Sequence, residues 1–247
     1  MISRLSFRIT ALILCTVLTG CGAPEVSRIV ELGGCAELSV QGDFTLGLRA
    51  TDATIIELRG RPVDLAGVVV QASGTRVSIT STSSQTLHAQ VSCPDLVALE
   101  LIGSVEAEQD PDSPLPIYDK IAVYGHSRFA AQKLNAGTLD LRASGNGQIA
   151  IEQLVADSLQ MLLAGSSQVL IEGTTGRFEV DLGGDARLTA IELQAQTVIL
   201  RARGRSQAGV FATAHLDADL QDAASLAYAG TPDLQIERTK FTRLHKL

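Results

Sequence analysis

"LRASGNGQIAIE", residues 141–152, alternates apolar and polar residues as a strand does, yet interrupts itself with Gly145 and Gly147. Glycine weakens strand interiors, so two of them inside an alternating run mark a place where the backbone, not the side chain, sets the residue type. The feature recurs. Gly125, Gly145 and Gly165 are spaced by 20 residues, Gly184 follows after 19 and Gly204 after another 20. Self-similarity at such a period is the signature of a repeat architecture.

Alignment on these glycines places Ile121, Leu141, Met161, Val180 and Leu200 four residues before, and Phe129, Ile149, Val169, Leu188 and Ala208 four residues after. Every second position is apolar. A period of 2 within a copy and of about 20 between copies describes coils of strand whose equivalent residues stack at ~4.8 Å per coil. The predicted fold is all-β: a single-stranded parallel β-helix with coils of ~20 residues, right-handed by the crossover rule. Helical repeats would need a 3.6 period, which none of the five copies shows. Gly145 is expected on the inward side of a sharp bend, beside Gly147, whose counterparts Ser127, Ser167, Ala186 and Ser206 are all small. A looser sixth copy runs through Leu216, Leu220, Leu226 and Tyr228, with Asp222 in the glycine's place.

The coil is expected over residues 96–230. Residues 31–95 alternate without regular spacing and read as an irregular N-terminal β part that begins or caps it. The stretch "EQDPDSPLP", residues 108–116, reads as a loop. Residues 231–247, ending in "IERTKFTRLHKL", read as a C-terminal cap or tail, since a terminal coil needs a cover for its edge.

The first twenty residues have the form of an export signal: Arg4 and Arg8 precede a 12-residue run, "ITALILCTVLTG", too short to span a bilayer. The run ends in "LTGC", residues 18–21, which resembles the lipobox of bacterial lipoproteins. That resemblance implies cleavage before Cys21, which would carry diacylglycerol and an N-acyl chain, with residues 21–30 as tether. Two or more chains hold a protein firmly to a membrane. Gly22, rather than Asp, fits sorting to the outer membrane, on either its periplasmic or its surface side. With Cys15 in the signal and Cys21 lipidated, Cys35 and Cys93 remain as a disulfide pair in an oxidising envelope, against the alternative of two buried thiols.

"CPDLVALELIGSVEAE", residues 93–108, followed by repeats such as "SLQMLLAGSSQVLIEG", residues 158–173, resembles the head GIN domain family (DUF2807), whose members are described as autotransporter adhesins. The resemblance spans roughly residues 35–230, and Asp222 at a corner departs from the family's small-residue pattern. It implies an envelope-exposed β-helix, often lipid-anchored, with no catalytic residues to carry over.

Residues 21–247 carry 18 basic and 27 acidic side chains, a formal charge of −9, which argues against a nucleic-acid partner. Asp181, Asp185, Arg187, Arg201, Arg203 and Arg205 are expected to point outward on neighbouring coils. Sugar-cleaving β-helices use carboxylates and arginines in such places. Stacking would also set Arg201 between Asp181 and Asp219, a surface charge ladder contributing ~0–1 kcal/mol per pair with no substrate. His88, His126 and His215 lack metal-ligand spacing, so neither a metal nor any cofactor beyond the lipid chains is expected. The sequence therefore points to a non-catalytic binding or adhesion module for an envelope glycan or protein, with binding-face residues Asp181, Asp185, Arg201, Arg203 and Arg205. An accessory subunit of an envelope complex and a polysaccharide-cleaving enzyme are the competing readings. Nothing in the chain sets an oligomeric state.

Overall fold

The computed structural model describes residues 25–113 and 117–247, with the backbone of 12–14. The lipobox, Cys21 and the export signal apart from Leu12–Leu14 lie outside the described residues. In chain order the elements are β1 (Leu12–Leu14), β2 (Val26–Glu31), β3 (Glu37–Arg49), β4 (Ile55–Gly60), one helical turn α1 (Pro62–Leu65), β5 (Val68–Ser73), β6 (Arg76–Ser81), β7 (Leu87–Ser92) and β8 (Ala98–Gln109). They continue with β9 (Lys120–Gly125), β10 (Arg128–Gly145), β11 (Gln148–Leu163), β12 (Gln168–Leu182), β13 (Arg187–Ala202), β14 (Gln207–Leu220), β15 (Ser225–Ala229), β16 (Asp233–Arg238) and β17 (Arg243–Lys246).

From β8 onward every pairing is parallel, and the stack forms a β-solenoid of about seven turns. Its register is the one the alternation dictates: Phe129 lies against Ile149, Ile149 against Val169 and Val169 against Leu188, while Leu141, Met161, Val180 and Leu200 form a second column. Both columns are buried. The short copies lose residues at the bends, not in the strands. In β12, Gly173 takes the rung position of Leu154, dropping one residue between the paired segments. A Cβ on Gly173 would sit 2.0 Å from the Leu154 carbonyl oxygen.

The corner differs from the sequence expectation in one respect. Gly145 does not point inward: it is exposed, with φ +72°. The inward small residues are its neighbours two places on, Ser127, Gly147, Ser167, Ala186 and Ser206, all buried. The ladder glycines are fixed by left-handed backbone, with φ between +71° and +77° from Gly125 to Gly204, a region that costs other L-residues roughly 1–2 kcal/mol. They are fixed also by contact, since a Cβ on Gly165 would lie 2.9 Å from the Gly145 carbonyl oxygen. Asp222 is the one non-glycine with positive φ among the described residues, at 58°. Its Oδ2 accepts a hydrogen bond from the Gly204 amide at 3.0 Å, as suits a residue type that tolerates this conformation.

The same ladder reaches further back than its 20-residue spacing revealed. Gly125 stacks on Gly103, and Gly103 on Gly42, both with positive φ. Strand β3 is therefore already a rung, in register with β8. Between them, residues 50–97 leave the coil. Strands β6 and β7 return parallel to the far side of β3, and β5, β4 and β2 add antiparallel at the outer margin. This is the irregular N-terminal β part, and it closes that end of the core with Leu65, Val68 and Val70. At the opposite end β16 and β17 form a final partial rung, pairing parallel with β14 and β15.

Cys35, just before β3, is joined to Cys93, just after β7, with Cα atoms 5.6 Å apart. The bridge ties the end of the excursion to the start of the first coil. Closing a loop of 58 residues stabilises by about 4 kcal/mol through chain entropy.

Two outcomes follow from this geometry. Gly165→Ala should lower stability by more than ~2 kcal/mol in denaturant melts, combining left-handed strain with carbonyl contact. Gly137→Ala, where a Cβ meets nothing within 4 Å, should be neutral or slightly stabilising; equal losses would refute the corner assignment. Non-reducing mass spectrometry should recover a peptide pair linking Cys35 to Cys93, whereas alkylation of both thiols without prior reduction would exclude the bridge.

Candidate functional site

The segment preceding each corner presents one flat face. Residues 98–102, 120–124, 140–144, 160–164, 179–183, 199–203 and 217–221 lie side by side on it, following 37–41 at the N-terminal end. Three shallow depressions follow one another along this face in the direction of the solenoid axis. The first, of about 140 Å³, is lined by Glu37, Ser39, Arg76, Glu100 and Lys120. The second, of about 170 Å³, takes in Asp140, Arg142, Gln160, Leu162, Asp181 and Arg201. The third, of about 50 Å³, lies between Arg201, Arg203, Asp219 and Gln221.

The arginines and aspartates expected here are present on the outside, but their pairing is shifted. Arg201 does stand in register between Asp181 and Asp219. Yet Asp181 accepts from Arg203 at 3.0 Å, and Asp185 accepts a two-point contact from Arg205 at 2.6 and 2.7 Å. Backbone register sets which Cα atoms are neighbours. The long guanidinium arm then reaches the acid whose approach is open, here one rung back and two columns over for Arg203. The Arg205 hydrogen bond holds the Asp185 carboxyl below its ordinary range and raises the guanidinium in turn. Arg201 makes no ion pair with any described residue, and it forms a wall common to the second and third depressions. Elsewhere on the face Arg142 pairs with Asp140 and Arg76 with Glu37, and Glu100 accepts a hydrogen bond from the Ser39 hydroxyl.

A concavity that the sequence did not announce lies on the N-terminal cap. Strands β4, β7, β3 and β8 bear a trough of about 700 Å³ lined by Glu57, Arg59, His88, Gln90, Glu106 and Glu108, among others. The Gln90 side chain lies across Gly47, where a Cβ would come within 2.5 Å of it. The Arg59 hydrogen bond holds the Glu57 carboxyl low, with Ser27 adding a second donor at 3.1 Å. Glu106 and Glu108 have no partner among the described residues. The alternation of "SVEAEQ", residues 104–109, carried the outward acids, but the trough itself depends on antiparallel strands that no period reveals.

The histidines are dispersed. His126 contacts Asn146 of the next coil at 3.0 Å, and His215 lies 3.7 Å from Asp233. Among the described residues no group of three potential ligands converges on a point that could hold a metal ion.

Among solved structures of similar shape is a "putative adhesin" from Parabacteroides merdae, with TM-score 0.82, 16% identity and coverage of 92% of this chain and 98% of that one. A "putative lipid binding protein" from Parabacteroides distasonis follows at 0.81 and 17%, over 92% and 98% of the two chains. A "putative adhesin" from Bacteroides fragilis has TM-score 0.69 and 15% identity over the same shares. At these identities the likeness is one of fold. A search of curated proteins returned no match. The family model described as "Putative auto-transporter adhesin, head GIN domain" matches residues 36–232, most of the chain and the whole of the corner ladder, and the chain belongs to that family.

Proposed function

We propose that this protein is a lipid-anchored module of the bacterial envelope that binds an extended glycan along its flat face without turning it over. The observation that carries the reading is the alignment of three depressions along one face, with unpaired Arg201 as the shared wall of two of them. A row of shallow hollows suits a chain-like ligand gripped by many weak contacts. Carboxylates and guanidinium groups held in matched pairs offer donors and acceptors to sugar hydroxyls. Arg201 is left to meet an acidic sugar. Membership of an adhesin family supports an envelope or surface setting. The anchor at Cys21, the outer-membrane address and the absence of turnover rest on the sequence and the proposal together.

Binding of a polyuronate probe to the soluble domain should weaken several-fold with Arg201→Ala and fall further with added salt, since exposed charges are screened beyond ~8–10 Å. Arg205→Ala, which lines none of the three hollows, should change little. Equal losses from both substitutions, or steady release of unsaturated sugar products, would overturn the reading. For the anchor, Cys21→Ser should abolish labelling of the protein by a palmitate analogue in cells; undiminished labelling would exclude lipidation there.

A further inference from the structure

The trough on the N-terminal part lies across the corner glycines Gly42 and Gly103 from the face that bears the three hollows, and its shape follows from strand register. Four strands cross it side by side in the order β4, β7, β3 and β8, so its margins stand three strand spacings apart, roughly 14 Å. Two rungs of outward side chains span it. One runs Arg59, His88, Thr45, Glu106, and the other Glu57, Gln90, Gly47, Glu108. Long side chains therefore stand at both margins, while the short Thr45 and the bare Gly47, with Gln90 lying across it, form the floor. That difference in length makes the concavity of about 700 Å³, a size typical of ligand sites.

Four glutamates and two arginines line the trough, and both arginines are already engaged. Arg59 pairs with Glu57 at 2.7 Å, and Arg49 pairs with Asp110 just outside at 3.1 Å. Glu25 and the exposed Glu106 and Glu108 make no ion pair with a described residue, although Arg128 is the register neighbour of Glu106 on β10. The trough is net acidic and repels the acidic glycan proposed for the flat face. Its free acids are also regularly placed. Glu106 and Glu108 are successive outward positions of one strand, about 6.6 Å apart along it, and alternate side chains of any extended peptide share that spacing. Among the described residues no three potential ligands converge on one point, so the arrangement suits two separated cations better than one metal ion.

We propose that the trough binds an extended segment of another protein with lysines at every second position, laid along β8 with one ammonium at Glu106 and the next at Glu108. Charge complementarity supplies the attraction and the shared strand period sets the register. Thr45, His88 and Gln90 on the floor offer hydrogen-bonding groups to the segment's backbone. A free diamine would match the two carboxylates but leave most of the trough empty. This site is independent of glycan binding on the flat face.

The test uses the full chain at physiological salt and a fluorescent peptide, Thr-Lys-Thr-Lys-Thr. Saturable binding is expected, weakened at least tenfold by the double substitution Glu106→Gln with Glu108→Gln, which removes charge from two exposed side chains and should leave the melting temperature unchanged. The isomer Thr-Lys-Lys-Thr-Thr, whose ammonium groups point to opposite sides of an extended chain, should bind several-fold more weakly. Arg201→Ala on the flat face should change the affinity less than twofold. Absence of saturable binding, equal affinity of the two peptides, or indifference to the double substitution overturns the proposal. So does loss of binding with Arg201→Ala, which would place the peptide on the flat face. Displacement of the peptide by calcium, or by 1,4-diaminobutane as effectively as by unlabelled peptide, would make the trough a metal or small-amine site and overturn it too.

Discussion

One hydrogen bond, repeated at every turn, holds the solenoid in register. The residue after each corner donates its amide to the corner carbonyl of the coil before: Asn146 to Gly125, Ser166 to Gly145, Asp185 to Gly165 and Arg205 to Gly184, at 2.7–2.8 Å. The bond forms only if the corner backbone turns left-handed and the two coils approach closely. Glycine permits both conditions. With the corner fixed, the alternation of each strand must fall into line with its neighbour's. Leu141, Met161, Val180 and Leu200 then meet as a buried column and do not slip to the solvent side.

The outer surface inherits that regularity. Side chains on one face repeat at the coil spacing, so depressions line up along the axis. Charges fall where a guanidinium can choose between acids on adjacent rungs. This accounts for the coexistence of well-matched pairs such as Arg205 with Asp185 and a residue, Arg201, left free between two hollows. The two ends are not equivalent. One is folded over by antiparallel strands and stapled by Cys35–Cys93; the other continues the parallel stack, with β16 and β17 laid on β14 and β15.

The solenoid was legible where its period is short enough to be seen. From Gly125 to Gly204 the spacing stays at 19 or 20, and every buried column there follows from alternation alone. The same ladder at Gly103 and Gly42 was hidden, because an excursion of four strands and a helical turn separates the two rungs. Gly145 is small because its backbone is left-handed and not because it points inward; sequence shows that a residue must be small without showing why, since left-handed backbone and interior crowding make the same demand. The outward position of Arg201 is readable; that Asp181 pairs with Arg203 and leaves Arg201 without an ion pair is not, since side-chain reach exceeds the distance between columns. The trough lined by Glu106 and Glu108 depends on β4 pairing antiparallel with β7 beside β3, a tertiary feature with no linear trace.

The most direct measure of the central claim is native-state hydrogen exchange at the corner amides of Asn146, Ser166, Asp185 and Arg205. These residues are exposed at turns, and turn amides ordinarily exchange through local opening at little cost. If their bonds to the preceding corner carbonyls hold the stack together, they should exchange only on global unfolding, with protection equal to that of the buried strand amides of Ile149 and Val169. Exchange as fast as that of exposed loop amides such as Asp112 would show that the corners do not carry the register.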